Sequence, residues 1–295
     1  MKKYDLIREG KLFRIIALKD FGFIKKGELG GVVENRNNLG QQGNCWIHEN
    51  AKVTGNAKVS GDALVSGYAK VSGNAEIYGN AYVSGNAQVS GNAEVYGNAK
   101  VYGNAKVTGN AEVSGNALVS GYAKVSGNAK VYGNAKVSGD AEVRGDAQVS
   151  GDAEVRGDAQ VYGDAEVRGD AEVYGNAEVS GNALVSGDAE IYGNALVYGN
   201  AQVIDNAEVT GNAEVYGNAE VTGNAKATKE VITFGNIFDY DITITDNHIK
   251  IGCQQYLKSR WLEFTNKEIL EMGGKRALKF WGLFKSFAIN MGFFN

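Results

Sequence analysis

Two histidines, His48 and His248, and two cysteines, Cys45 and Cys253, are the only side chains of their kinds in this 295-residue chain. An imidazole can act as a general base and a thiolate as a nucleophile or metal ligand, but each needs partners at close range. Neither pair has a metal-ligand spacing, so no metal and no other cofactor is expected. Asp20-Phe21-Gly22 imitates a kinase triplet without the Gly-rich loop, strand lysine and catalytic loop that give that triplet meaning. GELGG at 27–31 lacks the strand–turn–helix setting of a phosphate loop. The carboxylates are more ordered. Asp140, Asp146, Asp152, Asp158, Asp164 and Asp170 recur every six residues, and Arg144, Arg156 and Arg168 every twelve. Stacked carboxylates can form an anionic surface for a basic partner or a loose divalent-cation site. With arginines placed to relieve their repulsion, the plainer expectation is a solvated surface whose exposed pairs contribute about 0.2–1 kcal/mol each.

What must position those carboxylates is a frame, Ala-x-Val-x-Gly-Asn/Asp, that runs without insertion from Ala51 to Asn224 as 29 hexads, with CWIHEN at 45–50 a degenerate thirtieth. Every first position of the 29 is Ala and every third is Val or Ile. The alternation puts both on one side of an extended segment. Gly-Asn or Gly-Asp then turns a corner, because Gly takes positive φ and Asn/Asp tolerate it. A strand this short buries nothing alone, so stacked units must supply the core. A helix is excluded: a Gly every sixth residue costs about 1 kcal/mol each and leaves no 3.6-residue stripe. Although Gly numbers 41, hydrophobic residues make up 43% of the chain, which sets it apart from low-complexity disorder. The net charge of −4 hides a block: residues 1–44 carry +9 and −5, 45–138 +8 and −5, 139–224 +3 and −17, and 225–295 +10 and −7.

The pattern Val/Ile-x-x-x-Ala-x resembles the hexapeptide-repeat signature of left-handed parallel β-helices, the fold of bacterial hexapeptide acyltransferases. LKDFGFIKKGELGGVVEN at 18–35 and LGQQGNCWIHENA at 39–51 resemble a narrower group, uncharacterised bacterial and phage-borne hexapeptide-repeat proteins often labelled transferases, in which an aromatic C-terminal region is common. The resemblance implies an all-β, single-stranded left-handed parallel β-helix, a triangular solenoid with 18 residues per coil. Thirty hexads then make about ten coils, roughly 48 Å at one strand layer each. Such acyltransferases use a His as general base and loops extruded between coils. This array has no His after its first hexad and no extruded loop, so a non-catalytic rod is expected, with His48 at a subunit interface as the alternative. The phage-borne context implies a protein partner in the bacterial host, an inhibited defence protein being one form.

Residues 1–44 are expected to cap the first coil, 45–224 to form the β-helix, and 225–295 to form a second cap. That second cap shows strand signals in EVITFGNIFDYDITITDNHIKIGC, a turn at Thr245–His248, and a helix with Asn266 as N-cap that resumes after Gly273-Gly274. The pattern of Lys275–Met291 suits a membrane surface or the open end of the solenoid, and the latter is expected. Sorting one face by coil brings Leu64, Tyr82, Tyr102 and Leu118 together with Tyr68 and Tyr122, which replace the usual corner Asn; this is the candidate interface for a protein partner of unknown identity or a homo-oligomer. Tyr78/Tyr96, Tyr174/Tyr192 and Tyr198/Tyr216 are expected to stack in short ladders that do not make a nucleic-acid groove. Ice binding would want a sustained Thr array. The N-terminus lacks a signal peptide's apolar run and no stretch is long enough to span a membrane, so a reduced, cytoplasmic setting is expected.

Overall fold

The computed structural model describes residues 2–234 and 240–294. Each hexad contributes a two-residue strand made of its first variable residue and its Val, and that strand pairs in parallel with those eighteen residues before and after. Lys106 lies opposite Lys124 and Val107 opposite Val125, while Leu64 lies opposite Tyr82 and Val65 opposite Val83. Three strands therefore close each turn of a left-handed β-solenoid of about eleven coils. Its faces are sheets of thirteen, eleven and ten strands, the first lengthened by the N-terminal cap. The repeated Ala and Val/Ile side chains are 0–1% exposed throughout, so each Val contributes on the order of 1.5–3 kcal/mol by burial. Ala keeps the prism narrow enough to fill without voids.

At the corners, Gly139 stands for its class. Its φ is +70°, and a Cβ there would lie 2.8 Å from the backbone N of Gly157 in the next coil. Asp205 alone breaks the rule among the described non-glycine residues, at φ 63°. Its carboxylate accepts the Gly223 N–H at 3.1 Å, which offsets part of the strain.

The N-terminal cap is an antiparallel hairpin, Tyr4–Glu9 with Leu12–Ala17, followed by Leu29–Val33, which pairs antiparallel with the hairpin and parallel with Lys52–Val53. That strand converts the hairpin's direction into the solenoid's. Lys3 is buried under it, its Nζ donating to the Cys45 carbonyl at 3.0 Å and approaching Cys45 Sγ at 3.1 Å and the Phe21 ring at 5.0 Å. The Tyr4 hydroxyl donates to the Leu39 carbonyl at 2.6 Å, and burial pushes its phenol up to about 12. Asn38 donates to the carbonyls of Gly55 and Ala57, and Gly40 N–H to Val59, so the first coil's carbonyls are occupied.

At the other end the ladder runs on through Lys226–Ala227. Ile232–Phe234, Ile242–Ile244, His248–Ile251 and Gln254–Leu257 then form an antiparallel sheet; 235–239 of the strand-like stretch lie outside the described residues. His248, expected in the turn, is the first residue of its strand. The sheet docks on the last coil: Thr243 Oγ1 accepts the Glu220 N–H at 3.3 Å, Asp246 N–H donates to the Lys226 carbonyl at 2.9 Å, and Lys250 pairs with Glu220.

Two helices follow, α1 (Lys258–Glu263), which the sequence reading missed, and α2 (Asn266–Asn290), kinked at Gly273 and Gly274 as expected. The N-cap is Thr265 rather than Asn266. Its hydroxyl accepts the Glu268 N–H and the Glu268 carboxylate accepts the Thr265 N–H at 2.8 Å, a reciprocal pair that Asn266 is one residue too late to make. Phe280, Trp281, Phe284 and Ala288 of α2 join Ile242, Ile249 and Trp261 in a core separate from the solenoid's. The sheet, not the helix, covers the coil end; the helix backs the sheet. No helix among the described residues is long and apolar enough to cross a membrane.

Candidate interaction surfaces

Outward side chains follow one rule of reach. The second variable position of a hexad, two residues before the corner, leans onto the first variable position of the strand one coil on, sixteen residues later. Tyr78 donates to Glu94 at 2.8 Å, Tyr174 to Glu190 at 3.2 Å and Tyr198 to Glu214 at 3.4 Å, and Tyr162 and Tyr192 reach Glu178 and Glu208 likewise. Burial and the Glu190 charge push the Tyr174 phenol up to about 12. The three expected ring pairs are stacked, with centroids 4.9, 4.9 and 5.5 Å apart.

Arg144 and Arg156 obey the same rule, which corrects their expected role; sixteen residues on from Arg168 stands Leu184, which offers no acceptor. Arg144 donates to Gln160 at 3.1 Å and lies 4.2 Å over the Tyr162 ring; Arg156 pairs with Glu172 and lies 4.1 Å over Tyr174; Arg168 approaches Glu166. None bridges the corner carboxylates, because a chain in that position is directed along the face, away from the corner beyond its own Gly.

The corners form ladders of another kind. Asn74 donates to Asn92, Asn92 to Asn110 and Asn110 to Asn128, each at 2.9 Å, and Asn128 to Asp146 at 2.8 Å. A carboxylate accepts but has no N–H to pass on, so the ladders that reach Asp146 and Asp152 stop there, while the third ends at Asn104, where Tyr122 takes the next corner. Asp140 stacks over Asp158, Asp146 over Asp164 and Asp152 over Asp170, one coil apart, and together they belt the rod on all three edges. Among the described residues no three His, Cys, Asp or Glu side chains are grouped to hold a metal ion.

Leu64, Tyr82 and Leu118 share the eleven-stranded face, with Lys100 between Tyr82 and Leu118. Tyr82 meets the Ser66 hydroxyl at 2.8 Å, and Tyr102 stands 39% exposed in the neighbouring column. Tyr68 and Tyr122 are separated from them. Each overhangs the adjacent thirteen-stranded face, Tyr68 beside Lys52 and Lys70, and Tyr122 beside Lys106 and Lys124. On that face the outward column reads Lys52, Lys70, Gln88, Lys106, Lys124, then Glu142, Gln160, Glu178, Leu196 and Glu214. The lysine row is legible in the sequence at the same eighteen-residue spacing, although nothing apolar among those lysines marks it as a contact.

His48 is half-buried beneath the N-terminal cap, and burial holds its imidazole below the ordinary range, opposed by the charge of Glu28. It lines none of the clefts described here. Burial also lowers His248, whose Nδ1 is enclosed without a hydrogen-bond partner. Cys45 is buried and Cys253 exposed, both free. Cys253 borders a small apolar cleft of about 70 Å³ within the C-terminal cap, with Tyr240, Trp261, Met272 and Phe280.

The array matches two family models. Residues 45–148 match Bactofilin, described as polymer-forming cytoskeletal, and residues 189–205 match a YdcK β-solenoid repeat. Both matches fall within the solenoid and leave the caps outside. No curated protein matches the chain. Among solved structures, UDP-N-acetylglucosamine acyltransferase from Arabidopsis is similar at 14% identity over 63% of this chain and 70% of its own, with a TM-score of 0.39. A protein described as an acetyltransferase from Desulfovibrio desulfuricans G20 is similar at 8% identity over 62% and 65%, with a TM-score of 0.26. At such TM-scores neither likeness bears on the chemistry of this chain.

Proposed function

We propose that the chain is a non-catalytic, rigid rod that serves as a protein-binding or scaffolding element. The observation that carries this reading is the use of every fixed position. Ala and Val fill the prism, Gly makes the corners, and the outward Tyr, Arg and Glu brace one another from coil to coil. No loop leaves the array to enclose a substrate, and the surface that remains is a straight, regular one. The match of residues 45–148 to a polymer-forming cytoskeletal family supports a structural role.

The half-buried Leu64 and Leu118 and the exposed Tyr82, with Tyr102 beside them, are the proposed contact for a protein partner. An inhibitor of a host defence protein is one form such a rod could take, and it rests only on the resemblance of residues 18–51 to phage-borne proteins. The test is capture of partners from a bacterial lysate by the parent and by the Leu64→Asp/Leu118→Asp variant. A partner lost with the variant, while the circular dichroism of the rod is unchanged, is the expected result. Acyl-donor turnover that disappears in His48→Ala would overturn the reading in favour of an acyltransferase.

A further inference from the structure

We propose that two copies of this chain associate side by side and antiparallel through their thirteen-stranded faces, each lysine row lying on the other's acidic row. This deepens the scaffold reading by naming a self-partner, on a face different from the Leu64 patch.

The argument starts from a cost. Lys52 lies directly opposite Lys70, and Lys106 opposite Lys124. Like charges facing across a parallel pair are destabilising. Elsewhere on the rod, stacked glutamates are relieved by the sixteen-residue reach of a Tyr or Arg. Here the corresponding positions are Thr54, Ser90 and Thr108, too short to help and of no charge. Lys124 pairs with Glu142 at 2.6 Å, but among the described residues no ion pair engages Lys52, Lys70 or Lys106. The cations stand free, in a row, on a flat face.

The same column supplies their complement in reverse order. A two-fold axis between Lys124 and Glu142 brings Lys124 onto Glu142 of the second copy and Lys52 onto Glu214, while Lys106 meets Gln160 and Lys70 meets Leu196. Each contact occurs twice by symmetry. Shifting the register by one coil in either direction keeps as many lysine–glutamate contacts but adds Lys124 on Lys124 or Glu142 on Glu142 at the axis, so charge favours this register by that one repulsion. The shallow depression on this face, about 420 Å³, lies at that axis, bordered by Tyr122, Lys124, Asp140 and Glu142. In the paired state Tyr122 of one copy stands beside Asp140 of the other. Ten coils of about 4.8 Å by four extended residues of about 3.3 Å make a face on the order of 600 Å² per copy. The total of about 1,200 Å² is at the low end for a specific complex, so the pair should be weak and salt-sensitive.

Sedimentation velocity of the full chain at about 50 mM and about 500 mM NaCl tests this. A dimer at low salt that dissociates at high salt is expected. Lys52→Glu/Lys124→Glu should be monomeric, its dissociation constant raised about a hundredfold or more by like charges brought together, and so should Glu142→Lys/Glu214→Lys. The two variants mixed in equal amounts should regain the dimer. All four positions are solvent-facing, and circular dichroism checks that each variant keeps its fold. A parent that stays monomeric at about 100 µM, a dimer indifferent to either charge reversal, or variants that do not rescue each other would overturn the proposal. A monomeric parent whose lysine row instead binds inorganic polyphosphate would assign the row to a foreign polyanion and overturn it too. Partner capture through Leu64 and Leu118 is read separately, so a parent that forms no dimer but still captures a partner refutes this inference alone.

Discussion

Replacing one corner glycine by alanine separates the two demands made on it, positive φ and closeness to the next coil. At Gly217, φ is +64° and a Cβ would meet nothing within 4 Å. Gly217→Ala therefore bears only the left-handed penalty of about 1–2 kcal/mol, offset by about 0.4–1 kcal/mol from the stiffer unfolded chain, for a net loss on the order of 1 kcal/mol. At Gly139, φ is +70° and the new Cβ would sit 2.8 Å from Gly157 N, 3.0 Å from its O and 3.1 Å from its Cα. Those are backbone atoms in the ladder and cannot turn aside. The coils must open by a few tenths of an ångström, an overpacking cost of about 1–3 kcal/mol on top of the first. Gly139→Ala should thus lose about 2–4 kcal/mol, seen as a larger fall in urea midpoint by circular dichroism. Because a repeat array can unfold in parts, amide exchange should show faster opening around Gly157 in Gly139→Ala and none there in Gly217→Ala. Equal midpoints for the two variants would refute the claim that inter-coil contact, rather than φ, makes glycine necessary in mid-array.

Asp140→Asn should stabilise the rod by several tenths of a kcal/mol to about 1 kcal/mol, because the new amide can donate to Asp158 as Asn128 does to Asp146, and one of two stacked charges disappears; an unchanged urea midpoint would remove the ladder argument. His48 and His248 both have folded-state affinities for the proton lowered by burial. The unfolded chain protonates first as pH falls below the ordinary imidazole range, so the stability these groups contribute is present above that range and lost as pH drops through their folded values. The midpoint should fall between about pH 7 and pH 5, and the His48→Gln/His248→Gln double variant should show a shallower fall over the same interval.

The solenoid was readable because its information is periodic. A fixed Ala and a Val or Ile two residues later, repeated 29 times, leave only a coil length to find, and the pairing of Lys106 with Lys124 confirms eighteen. The caps were less readable because each structural device in them occurs once. Lys3, buried among the Gln42, Gly43 and Cys45 carbonyls, looks in the sequence like any N-terminal lysine; only the fold over it shows that three acceptors converge there. Helix α1 is six residues with no side-chain cap, too short for a period to declare itself. Thr265 and Asn266 are both good N-caps by type, and the choice fell to the Glu three residues after the Thr. On the surface, the error over Arg144, Arg156 and Arg168 came from counting faces without direction. Spacing places them near the corner aspartates in projection, but side chains leave a strand along it, and the group within reach is sixteen residues on for Arg144 and Arg156 and within its own strand for Arg168.

That directional rule also bears on how the rod can assemble. Polymer growth along the axis would need an open strand edge at each end of the prism. At the first coil, Asn38 and Gly40 already occupy the carbonyls of Gly55, Ala57 and Val59, and at the last, Thr243, Asp246 and Asn247 occupy Glu220 N–H, the Lys226 carbonyl and Lys226 N–H. The likeness to a polymer-forming family stops at residue 148 and does not include either cap. Growth by stacking coil on coil would require these bonds to be given up before any new one formed, whereas the sides of the rod are free without rearrangement. Association through a face therefore has the lower barrier, and a two-fold lateral pair closes on itself. Electron microscopy of the parent at low salt should show objects one rod long and two rods wide, and filaments one rod wide would mean that a cap detaches.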